Sequence, residues 1–283
     1  MTSVRAPAVA GSFYFAAAGA LADAVDRMLA AAHVPAGPAP AAMLQPHAGH
    51  VYSGPVAAAG YRRLADTRPG AGPVAVLCPN HTVACDRIAV SGADVWETPL
   101  GGVPVDDALR SAVLDLPGVV ADDRPHLREH AVEVHLPFLQ RLLDPGWALL
   151  PVVVGEVAPD AAAAVVDAVL DLGALLVVSS DLSHYLGYHD ARRRDERTVR
   201  AILERDAASI GRHDACGSHP IRGYLASRSV RSLTAEVLNV RNSGDTAGPR
   251  REVVGYASIV WARPAPERPT PHASMDRTAR EMG

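Results

Sequence analysis

The sequence predicts an α/β protein: one domain built on a central, mostly parallel sheet flanked by helices. Three observations carry this. The run ALLVVSSDLSH at Ala174–His184 begins with branched apolar residues and changes abruptly to small polar ones. Pro73–His81 (PVAVLCPNH) and Ala41–His50 (AAMLQPHAGH) repeat that design. Uninterrupted apolar runs of this length read as strands buried on both faces, which belong to parallel sheets covered by helices. Each run ends within a few residues of a histidine. In such folds, ligands sit outside the carboxyl ends of the strands. If the three strands are neighbours, His47, His81 and His184 share one site.

The remaining elements follow in order. Gly19–His33 reads as a helix with Leu21, Val25, Met28 and Leu29 on one face, ended by the Pro/Gly cluster Pro35–Pro40. Val56–Ala65 reads as a helix opening after Gly54-Pro55, since proline suits a first turn. Ile88–Val90 and Asp94–Pro99 are expected as short strands, and Asp106–Leu114 as a helix. Val119–Leu127 is polar and reads as irregular. Glu129–Leu143 turns amphipathic in its second half, with Pro137 in the first helical turn. Trp147–Val154 is a further buried strand, and Asp160–Leu172 an Ala/Val-rich helix. Asp190–Asp206 is a charged helix with Val199, Ile202 and Leu203 on its apolar side. Ala207–Gly223 reads as a polar loop, Tyr224–Leu238 as mixed helix and strand, and Val253–Trp261 as a late strand. No linker splits the chain, so residues 1–263 are taken as one domain. Residues 264–283 are expected to be a disordered, Pro-rich tail.

Composition narrows the function. The 283 residues carry a net charge of −4 and no long basic run, which argues against nucleic acid as a partner. All 27 basic residues are arginine, so lysine Schiff-base chemistry is excluded. Three cysteines, Cys78, Cys85 and Cys216, are too few for a disulfide framework and point to a reducing cytosol. The N-terminal sequence lacks a signal-peptide pattern, and no apolar stretch approaches the ~20 residues a membrane span needs. A cytoplasmic protein without membrane contact is expected.

Imidazole and thiolate together suit Zn, Cu or Fe, which makes His47, His81 and Cys216 a candidate ligand set. Their spacing alone is a weak signal, and the shared strand-end position strengthens it. Cys78 lies inside an apolar run and reads as core. Asp181 stands three residues before His184. It either orients that imidazole as a general base or caps a helix. Glu129, His130, Glu133 and His135 form a dense cluster that reads either as a patch that supports ligands from behind or contacts substrate, or as a solvated helix start. His50 and His219 are further candidates for substrate contact.

Seven motifs then occur in a recognisable order. They are GSFY at Gly11–Tyr14, PHAGHVYSG at Pro46–Gly54, PNH at Pro79–His81, TPLG at Thr98–Gly101, EHAVEVHLPF at Glu129–Phe138, VVSSDLSHY at Val177–Tyr185 and CGSHPI at Cys216–Ile221. From about Pro7 to Trp261 the chain resembles the Memo family, called AmmeMemoRadiSam system protein B in prokaryotes. That family is similar in fold to LigB-type class III extradiol dioxygenases, which bind non-haem iron. The resemblance implies a metal on His47, His81 and Cys216, with Fe(II) or Cu expected and Zn an alternative. It implies His184 in the place of the dioxygenase base, with Asp181 beside it. It also implies association with AMMECR-domain and radical SAM proteins. Two departures stand out. The dioxygenases use two histidines and a carboxylate where this chain offers Cys216, and His50 stands where the family often has tyrosine. The expected function is dioxygenase-like redox chemistry on a small substrate. The alternatives are a non-catalytic module that holds a peptide or protein in the same cleft, and a zinc-dependent hydrolase.

Overall fold

A computed structural model describes residues 2–67, 70 and 72–264. The tail expected to be disordered, apart from its first residue, lies outside the described residues.

The chain opens with the short strand β1 (Val4–Arg5) and helix α1 (Ala18–Ala31). Strand β2 (Pro40–Gln45), helix α2 (His50–Thr67) and strand β3 (Val74–Cys78) follow. Then come three short strands, β4 (Ile88–Val90), β5 (Val95–Thr98) and β6 (Gly101–Pro104). Helix α3 (Asp107–Leu114) is capped by the Asp106 carboxylate, which accepts the Leu109 amide at 2.8 Å. Strand β7 (Val119–Ala121) precedes a 3-10 turn, Glu133–His135, that runs into α4 (Leu136–Leu142) with Pro137 in its first turn. The second half comprises β8 (Leu149–Val154), α5 (Pro159–Asp171), β9 (Leu175–Ser179), β10 (His184–Leu186) and α6 (Tyr188–Glu204). It ends with α7 (Ser218–Ala226), β11 (Thr234–Asn242) and β12 (Val253–Ala262).

Nine strands make the main sheet, in the order β10-β12-β2-β9-β3-β8-β4-β7, with β11 also paired to β12. The central four, β2, β9, β3 and β8, are mutually parallel. Antiparallel pairing at β12–β2 and β8–β4 makes the whole sheet mixed. A second sheet, β1-β5-β6, is small. The three strands that the sequence marks with histidines are therefore immediate neighbours.

Alternation along the central strands divides the core between two faces. Leu44, Leu77, Val152 and Val178 point to one side, against α3, α5, α6 and α7. Met43, Val76, Val153 and Val177 point to the other, against α1, α2 and α4. Every residue of β3, β8 and β9 is buried, which is why the runs read as continuous apolar blocks rather than alternating ones. The approach of α5 to α7 requires Gly223, where a Cβ would stand 2.3 Å from that of Ala162.

Several elements differ from expectation. Helix α2 starts six residues early, at His50, and carries Pro55 inside it. Pro55 is the sixth helical residue, past the first turn, so its missing N–H leaves the Val51 carbonyl without its helical donor. Residues 119–121 form β7, and 184–186 form β10. Three residues are too few to show a period. The presumed loop 207–223 contains the first turns of α7, whose opening residues Ser218 and His219 are polar.

Candidate metal centre

His47 follows β2, His81 follows β3, and Asp181 and His184 follow β9. All four therefore gather beyond the carboxyl ends of adjacent parallel strands. Cys216 arrives on the loop before α7. Gly217 brings that loop close: its amide donates to Ser180 Oγ at 2.9 Å, and a Cβ there would stand 2.6 Å from the Ser180 Cβ.

Two groups of side chains have the spacing to hold a metal ion. His47, His81 and Cys216 each offer a ligand atom, all within 4.8 Å of one another. His81, Glu129 and His130 form a second group by the same measure. In the first group, His47 Nε2 and Cys216 Sγ are 3.1 Å apart. Both imidazoles are held through Nδ1. His47 Nδ1 is 2.7 Å from Ser179 Oγ, and His81 Nδ1 is 2.9 Å from Glu129 Oε1. Each contact leaves Nε2 as the free nitrogen, the arrangement in which metal-binding histidines are usually fixed. The donor set, two imidazoles and a thiol with hydrogen-bonded supports, fits Fe, Cu or Zn.

Ser179 ties this support to the core. Its hydroxyl donates to the Ala131 carbonyl at 2.7 Å, so it accepts from His47 Nδ1–H and from His135 Nε2–H at 2.8 Å. His135 Nδ1 then accepts the Tyr61 hydroxyl at 2.9 Å. Donor and acceptor alternate along this chain, which fixes the tautomer of each buried imidazole. Neither Ser179 nor Tyr61 was singled out from sequence, since a serine ending a strand and a helical tyrosine carry no local sign of such a role.

Glu129 is fully buried. Besides His81, its carboxylate accepts the backbone amides of His81 at 2.7 Å and of His130 and Ala131 at 3.0 Å each. It is thus a clamp on His81, the supporting role and not the substrate contact among the readings the sequence allowed. His130 does face the cleft, stacked on His81 with ring centroids 4.8 Å apart.

The electrostatics follow from burial and from crowding of like groups. Burial drives the His47 pKa well below its ordinary value, and the surrounding imidazoles add to this. His130 falls to about 4, chiefly through burial. Burial also works to lower His81, but the hydrogen bond and charge of Glu129 outweigh it, and the net shift is upward. Burial pushes the Cys216 thiol up, with the Asp181 charge in the same direction. A bound cation reverses that balance, because thiolate is the ligating form.

The expected pairing of Asp181 with His184 is absent. Asp181 accepts the backbone amide of His47 at 2.8 Å and that of Ala48 at 3.3 Å, and burial lifts its pKa to about 7. The second residue after β9 therefore caps the turn that carries His47. His184 is oriented instead by the Leu182 carbonyl, 2.8 Å from Nδ1. A carbonyl only accepts, so Nδ1 bears the proton and Nε2 is a free acceptor. Burial lowers the His184 pKa, which keeps this ring neutral near pH 7. The next residue, Tyr185, has φ of 58°, a left-handed conformation that a tyrosine rarely adopts. Strain of this kind collects at functional sites.

His47, His81, His130, Asp181, His184 and Cys216 line one cleft of about 810 Å³, with Arg194 and Arg212 among its other walls. A second cavity, of about 770 Å³, reaches His81 and Cys216 from the side of Pro79–Asp86, and His219 lines that one. His50 belongs to neither. It begins α2, its Nε2 donates to the Val134 carbonyl at 2.8 Å, and it lines a third cavity. The substrate role expected of His50 in the cleft is thus unsupported, because the helix that starts at this residue turns its side chain toward α4.

Among the described residues, no helix is long and apolar enough to cross a membrane. A family model described as Memo-like protein matches residues 5–260. A MEMO1 family protein of Aquifex aeolicus is 35% identical over 269 residues, covering 91% of this chain and 99% of the relative. Relatives of the same name in Methanothermobacter thermautotrophicus and Ignicoccus hospitalis are 34% and 35% identical, again over 99% of their own lengths. The fold, the clustered motif residues and these full-length matches agree, and the chain belongs to the Memo family.

Proposed function

We propose that this protein is a metal-dependent oxidoreductase that acts on a small substrate in the 810 Å³ cleft, with His47, His81 and Cys216 as its metal ligands. The reading rests on one observation: three ligand atoms from three separate parts of the chain lie within 4.8 Å of one another, each imidazole already fixed through Nδ1. Iron or copper held by these three residues would supply redox chemistry there.

The chain's own contributions follow from geometry. Ser179 and Glu129 hold the two ligand imidazoles with Nε2 facing the cleft. His184 accepts a proton at Nε2, a role suited to a neutral imidazole with Nδ1 tied to a carbonyl. Asp181 holds the 47–48 backbone in place and so positions His47. Arg194 and Arg212 edge the cleft and favour a substrate that carries negative charge.

Metal analysis of untagged protein, with each metal quantified by mass spectrometry, tests the reading. Wild type is expected to hold one redox metal per chain, and a His47→Ala/His81→Ala variant none. Equal occupancy in the two proteins overturns the ligand assignment. Zinc as the sole metal, together with amidase or esterase activity lost on chelation, replaces the redox reading with hydrolysis.

A further inference from the structure

A third cavity, of about 740 Å³, lies between α1, the start of α2, the Gly11–Ala16 segment and the end of β11. The GSFY motif at Gly11–Tyr14 supplies part of its wall, and the histidine–cysteine cleft takes only Phe13 of that motif. Much of its lining is apolar. Phe15 is 56% exposed and Val51 62% exposed, large side chains left open to water at a concave surface. Apolar side chains grouped at a concave surface suit an apolar ligand body.

Its charge is one-sided. Arg27 from α1 and Arg241 from β11 line the cavity. Neither has a carboxylate partner among the described residues. No aspartate or glutamate lines the cavity. Apolar walls with two unpaired guanidinium groups are complementary to a molecule with a hydrophobic body and an anionic end.

We propose that this cavity is a second ligand site, distinct from the histidine–cysteine cleft, which takes a small amphipathic carboxylate such as a medium-chain acyl or aryl acid. Phe13 is the partition between the two spaces. It lines both, and its ring centroid is 4.6 Å from that of His130. A ligand in the cavity therefore touches a residue that packs against the cleft wall.

Calorimetric titration of the full-length protein with decanoate tests this. Saturable binding of one decanoate per chain is expected. Decanol, which has the same body without the charge, is expected to bind about tenfold more weakly. An Arg27→Gln/Arg241→Gln variant is expected to lose about the same factor, and decanoate is expected to raise the Tm of wild type but not of that variant. The His47→Ala/His81→Ala variant is expected to bind decanoate as wild type does. The proposal is overturned by absence of saturable binding, by equal affinity for decanol, by an unaffected double-arginine variant, or by binding that disappears with His47 and His81.

Discussion

Glu129 and Glu133 stand four residues apart in one segment, both fully buried, and they serve different ends. Glu129 meets His81 and three backbone amides beside the candidate ligand group. Glu133 meets Arg5, the Tyr14 hydroxyl and the amides of Ala8 and Val9, and so fastens the N-terminal segment to the core. Arg5 completes that second cluster by donating to the carbonyls of His126 and Glu129, with its guanidinium 4.3 Å over the Trp96 ring. Burial of a carboxylate is therefore no sign of chemistry in itself. What separates the two is the partner: a permanent cation in one case, an imidazole with a free nitrogen in the other.

The largest effect expected is on the Glu133 side. Glu133→Gln leaves Arg5 as an unpaired buried charge, at a cost of about 3–5 kcal/mol. Thermal unfolding is expected to show a Tm lower by roughly 10 °C, while the metal-to-protein ratio of the folded fraction stays the same. Loss of metal in proportion would erase the contrast between the two glutamates.

His126 extends that structural cluster and gives it a pH signature. Burial lowers its pKa to about 4, with Nε2 donating to the Ala89 carbonyl at 3.1 Å. A histidine whose pKa is depressed by folding contributes stability that is complete above about 6.5 and declines as pH falls toward 4. The swing is at most roughly 3 kcal/mol. Urea unfolding at a series of pH values is expected to show this slope in wild type and a flatter one in His126→Gln. Parallel slopes would remove His126 from the account.

On the other side, Glu129→Gln is expected to weaken metal binding about 10–100-fold, as loss of a ligand's carboxylate support does. The expected fall in metal-free stability is smaller than for Glu133→Gln. Competition with a chromophoric chelator measures the first, and calorimetry the second. Ser179→Ala should have the smallest effect. It removes one acceptor from His47 and His135, worth about 1 kcal/mol or roughly fivefold in affinity. Unchanged affinity would show that the Ser179 contact does not set the His47 tautomer.

The parts of this structure that were legible in the sequence are those written in contiguous residues. Three apolar runs ending in histidine were enough to predict adjacent strands and a shared site, because a strand buried on both faces leaves a continuous signature. Cys216 was legible from its polar loop and from the family motif. The roles of Asp181 and Glu129 were not. Sequence leaves Asp181 open between His184 and a cap, and leaves Glu129 in a cluster without a partner, because the groups that settle both, the amides of His47 and Ala48 and the imidazole of His81, lie 48 to 134 residues away. Ser179 and Tyr61 were invisible for the same reason, since their partners lie at sequence separations of 44 to 132 residues. His50 was misplaced because the start of α2 was set at the proline, and a helix beginning six residues earlier points that side chain elsewhere.

The Arg5 tether has a consequence for biosynthesis. Arg5 and Glu133 are separated by 128 residues. At a synthesis rate of about 5–20 residues per second, the N-terminal segment waits several seconds on the ribosome before its acidic partner exists. Throughout that interval β1 can pair only with β5, which is synthesised earlier, and the Arg5 guanidinium lacks its carboxylate, so the N-terminal segment is fastened to the core only after nearly half of the polypeptide has been made.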